Sequence, residues 1–302
     1  MKAGFIGVGQ MGARMSMRIL EAGYGLAVHD LRKEAANPLL DKGAEWADTP
    51  KAMTDTCRVI ISCLPTPIQV QDIVYGAKGL MAGWRTGDIY IDMSTNSPAV
   101  IRQVAKDAKA KGVSVFDAPV TGGTVGAQKG TLTIMVGGDQ ARLKEIDAIL
   151  KTMGSKVIYV GDVGCGNVAK LVNNLISLTC NTISAEALVL GVKAGVDPKV
   201  LWEITTSGTA NNWNLQQYPQ TIFQGNFEPG FRLSLGFKDI GLAMQLGREY
   251  GVPLFVGAAV EQSLLEAKTA GFEEKSVDAV ILPLERLVGV EVRSAKKSDS
   301  SA

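Results

Sequence analysis

Short apolar runs separated by amphipathic stretches make up the first half of the chain. Runs at 3–6, 25–29, 58–62, 89–92, 113–117, 132–136 and 156–159 have the length and composition of buried strands. The stretches at 11–22, 67–75, 98–111 and 140–153 repeat their apolar positions with a helical period. Pro67 and Pro98 suit a first helical turn, where the missing N–H leaves nothing unsatisfied. Strands alternating with crossover helices predict an α/β fold built on a Rossmann-type doubly wound sheet. After Gly161 the strand-like runs vanish, and nearly everything to Val290 reads as helix broken at Gly195, Pro198, Gly208, Pro219 and 251–253. The expected organisation is a sheet domain at 1–161, an all-α domain at 162–291 and a polar, disordered tail at 292–302.

The helix that starts near Gly166 is apolar on most sides, through Val168, Leu171, Val172, Leu175, Ile176, Leu178 and Ile183. That is more than an amphipathic surface helix needs, so it is expected to be a buried spine between domains or between the subunits of a homodimer or homotetramer. Its segment 167–190 lacks glycine and proline, but Lys170, Asn173, Asn174, Asn181 and Glu186 argue against a membrane span.

Composition narrows the ligand more than the fold. In 302 residues, 31 Lys and Arg balance 30 Asp and Glu, which gives no general electrostatic reason to bind nucleic acid or an anionic membrane. A small molecule is the expected partner. Cys57, Cys63, Cys165 and Cys180 show no C-x-x-C spacing and read as reduced thiols, and the chain runs from Met1 into a strand without a leader, so a cytoplasmic location is expected. No cluster of His, Cys, Asp or Glu has metal-ligand spacing, so no metal is expected.

Gly7-Val8-Gly9-Gln10-Met11-Gly12 follows a predicted strand and opens a predicted helix, the context in which G-x-G-x-x-G signals a dinucleotide site. Gly7 allows the turn, Gly9 lets backbone approach a pyrophosphate, and Gly12 lets helix and strand pack closely. Asp30 closes the second strand, where a carboxylate accepts hydrogen bonds from an adenosine ribose and repels a 2′-phosphate, so NAD is favoured over NADP. Leu64-Pro65 and Ser94-Thr95 end further strands at the carboxyl edge of the sheet, where nucleotides bind in such folds.

Dehydrogenation needs a group that moves the hydroxyl proton. The only histidine, His29, lies beside the expected adenosine end, which leaves a lysine or a carboxylate. Lys170 and Asn174 fall at i and i+4 on one face of the long helix. An amine held among apolar helix positions is costly to keep charged and becomes a better base, although a lysine that merely reaches the surface has the same sequence signature. Between two later helices, the amide-rich segment 207–218 carries Trp213 and Tyr218 as candidate walls of a substrate pocket.

The glycine loop with Met11-Gly12, the segment Asp117-Ala118-Pro119-Val120-Thr121-Gly122-Gly123 with Gly126-Ala127, and Gly166-x3-Lys170-x3-Asn174 together resemble the β-hydroxyacid dehydrogenase family. Members of that family include 3-hydroxyisobutyrate, 2-(hydroxymethyl)glutarate and tartronate-semialdehyde enzymes. The likeness continues through 130–138 and Lys238-Asp239 and so spans nearly the whole chain. It implies NAD-dependent interconversion of a small 3-hydroxy acid and its semialdehyde. Lys170 would be the general acid/base, and Asn174 would orient the reacting group. Thr121 with the N–H groups of Gly122 and Gly123 would hold the substrate carboxylate. Lys238 would lie near nicotinamide and substrate, Gln10 and Met11 in the phosphate loop, Leu64 and Pro65 near the ribose, and Thr95 on the nicotinamide side.

The family usually has Ser where Thr121 stands, and the added methyl narrows the pocket. NADP-dependent relatives often carry Asn-Arg where this chain has Asp30-Leu31, which again favours NAD. Two alternatives stand beside this reading: an NADPH-dependent short-chain semialdehyde reductase of the same family, and a non-catalytic cofactor-binding scaffold. An imine reductase on the same fold would lack the lysine at position 170.

Overall fold

The computed structural model describes residues 2–294. Among them, the strands are β1 Lys2–Ile6, β2 Gly25–His29, β3 Glu45–Trp46, β4 Val59–Ser62, β5 Ile89–Asp92, β6 Ser114–Asp117, β7 Val120–Thr121, β8 Leu132–Gly137 and β9 Gly154–Gly161. They form one sheet in which β3-β2-β1-β4-β5-β6 are parallel neighbours in that order. β8 then runs antiparallel to β6 and β7 and parallel to β9. The strand order reverses direction between β1 and β4, and in open α/β sheets the crevice at that point is where dinucleotides bind.

Every position of β4 and β5 is buried, which explains why these strands read as continuous apolar runs rather than as alternating ones. Successive residues face opposite cores, with Phe5, Ile61, Ile91 and Phe116 on one side of the sheet and Ile6, Ile60, Tyr90 and Val115 on the other. The expected 140–153 helix is a 3-10 turn, Gln140–Glu145, followed by a short helix, Asp147–Met153. A further helix, Gly123–Lys129, occupies a stretch whose glycines suggest only a turn.

The chain divides into two compact units, Met1–Leu171 and Val172–Ala302, so the opening turns of the helix Cys165–Lys193 go with the sheet. The physical reason is that the first turns of the helix Cys165–Lys193 are bonded to the sheet, with Asn167 N donating to Asp117 Oδ2 at 2.7 Å. In the second unit, Leu178, Leu188, Tyr218, Phe223, Ile240, Leu264 and Ile281 form the core, drawn from the long helix and from Leu233–Glu249, Phe255–Ala267, Ile281–Val288 and the turn around 218–223. The chain end corrects one expectation: Val292 is buried in that core and Arg293 pairs with Glu285 at 2.7 Å, so 292–294 belong to the folded unit. The rest of the expected tail, 295–302, lies outside the described residues.

The long helix is also less buried than its composition suggests. Val172, Ile176, Ile183 and Leu190 are exposed, Leu190 to 71%. Among the described residues this helix alone is long and apolar enough to cross a membrane by length and composition.

Candidate functional site

The glycine loop grows directly out of β1. Gly7 has φ +89°, and a side chain there would overlap the Cys63 carbonyl; a side chain on Gly12 would overlap the Gly7 carbonyl. Those two glycines serve the protein's own packing. Gly9 is different, because a Cβ there meets no protein atom within 4 Å. The helix Gln10–Glu21 that Gly9 precedes has no side-chain cap and no acidic residue in its first turn. Its free N–H groups and positive end face an open space, which is the cradle a pyrophosphate fits. Gln10 is exposed and Met11 half-buried at the start of this helix.

Asp30 closes the loop from the side. Its Oδ2 accepts from Val8 N at 2.9 Å and its Oδ1 from Arg32 N at 2.9 Å, so the carboxylate is fixed at the end of β2 with one lone pair of each oxygen still available. His29 is engaged elsewhere, with Nδ1 2.8 Å from the Ala47 carbonyl and the ring stacked at a tilt against Trp46. Leu64 N donates to Ser94 Oγ at 2.9 Å, Pro65 is exposed and Thr95 is half-buried, so all three stand at the carboxyl edge of β4 and β5. These residues fit a dinucleotide: a cradle for phosphates, a carboxylate for a ribose, and a sheet edge for the nicotinamide end.

Beneath that edge lies a polar network that sequence reasoning did not find. Asp92 Oδ1 accepts from Ser62 Oγ at 3.0 Å and from Ser94 N at 3.1 Å, while its Oδ2 accepts from Asn96 Nδ2 at 2.9 Å. Asn96 N donates to Asn167 Oδ1 at 2.7 Å. Asp117 Oδ2 accepts from Asn167 N, and Asp117 Oδ1 accepts from Gly164 N at 2.7 Å. Burial raises both carboxyl groups above their ordinary range, that of Asp117 to about 6. The available signal was that 89–92 and 113–117 each end an apolar run in aspartate.

Just beyond Asp117, β7 pairs with β8 through Thr121 and Thr133, and the chain turns at Gly122 (φ +126°) and Gly123 (φ +64°) into the helix Gly123–Lys129. Thr121 is half-buried, and both glycines are exposed. The turn is thus held by a strand on one side and a helix on the other.

Lys170, half-buried, and Asn174, buried, stand one turn apart on the long helix. Asn174 Nδ2 donates to Asp239 Oδ2 at 2.6 Å, and Asn174 Oδ1 accepts from Asn173 Nδ2 at 3.1 Å. The other oxygen of Asp239 lies 2.8 Å from Lys238 Nζ. Asp239, buried and absent from the sequence-derived site, therefore joins two of the expected site residues. Tyr218 is a correction: its ring is wholly buried, packed edge-on against Phe223 at 6.4 Å, with its hydroxyl donating to the Asn181 carbonyl at 3.4 Å. It is core, because the turn that follows the helix Trp213–Gln217 folds it inward. Trp213, at the start of that helix, is 65% exposed.

Two family models cover the chain. Residues 2–161 match the NAD binding domain of 6-phosphogluconate dehydrogenase, and residues 164–284 match the NAD-binding domain of NADP-dependent 3-hydroxyisobutyrate dehydrogenase. With the cradle at Gly9 and the carboxylate at Asp30, they define an oxidoreductase with NAD(P)-binding domains. The chain is 36% identical over 293 residues to 2-(hydroxymethyl)glutarate dehydrogenase of Eubacterium barkeri, covering 96% of this chain and 97% of the relative. The chain belongs to the β-hydroxyacid dehydrogenase family. Among solved structures, 3-hydroxyisobutyrate dehydrogenase of Mycobacterium tuberculosis with L-serine is similar at a TM-score of 0.85 and 32% identity, over 94% of this chain and 98% of that one. Psf3 in complex with NADP+ and 2-OPP is similar at a TM-score of 0.85 and 26% identity, over 93% and 99%.

Proposed function

We propose that this protein oxidises the primary hydroxyl of a small 3-hydroxy acid to the semialdehyde with NAD, and runs the reverse reduction with NADH. The observation that carries the reading is half-buried Lys170 one turn before Asn174, whose amide is held by Asp239, in a chain that also presents an open dinucleotide cradle. The Gly9 cradle and Asp30 would hold NAD, which would supply the hydride acceptor for the carbinol carbon. Lys170, neutral, takes the hydroxyl proton at Nζ, so the alcohol loses two electrons and two hydrogens and becomes an aldehyde. Asn174 orients the reacting oxygen, and Thr121 with the N–H groups of Gly122 and Gly123 holds the carboxylate. The relative named for 2-(hydroxymethyl)glutarate and the neighbour named for 3-hydroxyisobutyrate support this substrate class. The preference for NAD rests on Asp30, whose fixed charge repels a 2′-phosphate.

The test is NADH formation at mildly alkaline pH with 3-hydroxyisobutyrate, 2-(hydroxymethyl)glutarate and L-serine, run beside Lys170→Ala. Turnover of one acid, lost in the variant while NADH still binds, is the expected result. Undiminished turnover by the variant removes Lys170 from the mechanism, and silence across the panel with intact NADH binding favours a non-catalytic scaffold.

A second reading, NADPH-dependent reduction of a short semialdehyde, is favoured by one observation: Arg32 and Lys33 are exposed directly after Asp30. The neighbour in complex with NADP+ shares that fold. Comparing kcat/KM for NADH and NADPH with the semialdehyde separates the two.

The partner we propose is a second copy of the chain, as a homodimer or homotetramer. The exposed Ile176, Ile183 and Leu190 recur on one face of the long helix, beside a groove of about 400 Å³ lined by Leu175, Ile176, Cys180, Pro253 and Phe255. A monomeric mass in solution overturns this.

A further inference from the structure

We propose that Asp117 is a positioning residue for Lys170, fixing the lysine against the Thr121–Gly123 turn by capping the helix that carries it; this rests on the proton-transfer role given to Lys170. Gly164 N and Asn167 N both donate to the Asp117 carboxylate at 2.7 Å, across 47 and 50 residues of sequence. In an ordinary capping box the residue before a helix supplies its own acceptor, but here Gly164 has no side chain and the acceptor comes from the end of β6. A negative charge at the start of a 29-residue helix also meets the positive end of its dipole.

The sequence makes room for this approach. A Cβ on Gly166 would lie 2.5 Å from the Asp117 carbonyl oxygen and 2.6 Å from the Met135 carbonyl oxygen, and a Cβ on Gly137 would overlap the Asp117 carboxylate. The first turn is gripped from a second side, because Asn167 Oδ1 accepts from Asn96 N and Asn96 Nδ2 donates to Asp92. Its rotation and its height above the sheet are therefore both fixed.

Lys170 follows on the next turn of the helix, and the Thr121–Gly123 turn follows Asp117 along the chain. One buried carboxylate therefore sets the spacing between the group that moves the proton and the N–H groups that hold the substrate. A desolvated carboxylate is an expensive way to cap a helix, and Asn or Ser would cap without charge. Only a carboxylate, however, accepts on both its oxygens, here from Gly164 N on Oδ1 and from Asn167 N and Nδ2 on Oδ2.

Asp117→Asn keeps the shape but offers a single acceptor, turning an NH2 toward either Gly164 N or the two Asn167 donors. With the acid of the panel that is turned over fastest, kcat is expected to fall about 100-fold, the loss that a misplacement of about 1 Å gives. KM for the acid and the dissociation constant for NADH are expected to stay within about threefold of the parent, which a general loss of structure would not allow. The second readout is rescue: added ethylamine restores proton transfer to Lys170→Ala, and adding Asp117→Asn lowers the rescued rate by less than about tenfold, because a free amine is not held by the helix and only Asn174 is still displaced with it. Wild-type kcat in Asp117→Asn, or an equal loss in the rescued enzyme, overturns the proposal. If Asp117→Asn does not fold, Gly166→Ala displaces the same turn and is read in the same way. Failure of the lysine reading looks different, since Lys170→Ala itself then turns over at the parent rate.

Discussion

Asn174 and Asp239, 65 residues apart in sequence, meet through a hydrogen bond of 2.6 Å inside the helical unit. Asp239 also binds Lys238 Nζ at 2.8 Å, so one buried carboxylate restrains two side chains that the family pattern places at the reaction. Asp239→Ala removes the acceptor of the Asn174 amide and the carboxylate beside Lys238 Nζ. Stability is expected to drop by roughly 1–3 kcal/mol, and kcat/KM by about 10- to 100-fold. Urea unfolding alongside initial rates checks both, and unchanged rates would show that the restraint is structural only.

The loop glycines separate two roles. Gly12→Ala drives a methyl into the Gly7 carbonyl, so the helix must leave the strand, and a loss of about 3 kcal/mol or failure to fold is expected. Gly9→Ala meets no protein atom, so its melting temperature stays at the parent value while the dissociation constant for NADH rises at least about tenfold. Differential scanning and fluorescence titration distinguish the pair. Equal destabilisation by both would mean that the space at Gly9 has no ligand role.

The proposed preference for NAD is tested at Asp30. Asp30→Ala removes the carboxylate that accepts from Val8 and Arg32, so affinity for NAD is expected to weaken, and the ratio of kcat/KM for NAD over NADP to fall by about tenfold or more. An unchanged ratio would assign discrimination elsewhere.

Asp117 also predicts a pH dependence of stability. Burial lifts its carboxyl to about 6, above the unfolded value of about 4, so the folded state holds the proton over that window while the unfolded state has released it. Its contribution is fully present below about pH 4 and is lost as pH rises through about 6, at most roughly 3 kcal/mol in total. Urea midpoints for the parent minus those for Asp117→Asn should therefore fall between pH 4 and pH 6 and level off above about 7. A flat difference would mean that Asp117 titrates at an ordinary value.

What was legible in the sequence was local. The glycine loop, the strands ending at Ile6, His29, Ser62 and Asp92, and the helix Pro67–Tyr75 follow from period, proline and glycine alone. Gly123–Lys129 was not legible, because threonine and glycine disfavour helix and only its packing within the sheet unit overrides them. The links from Asp117 to Gly164 and Asn167 and from Asn174 to Asp239 were hidden for another reason: they join residues whose proximity exists only after folding. Tyr218 shows the converse, an aromatic beside an amide-rich loop whose sequence surroundings suit a pocket and whose ring ends in the core.

The bare stripe of the long helix carries a practical consequence for handling the protein. Ile183 and Leu190 lose their contact with water only when something covers them, and if the cover is another copy, heat resistance becomes a property of the solution as well as of the fold. The same preparation would melt later when concentrated than when dilute. A dilute stock would then expose an oily helix face, and clouding on storage would begin there.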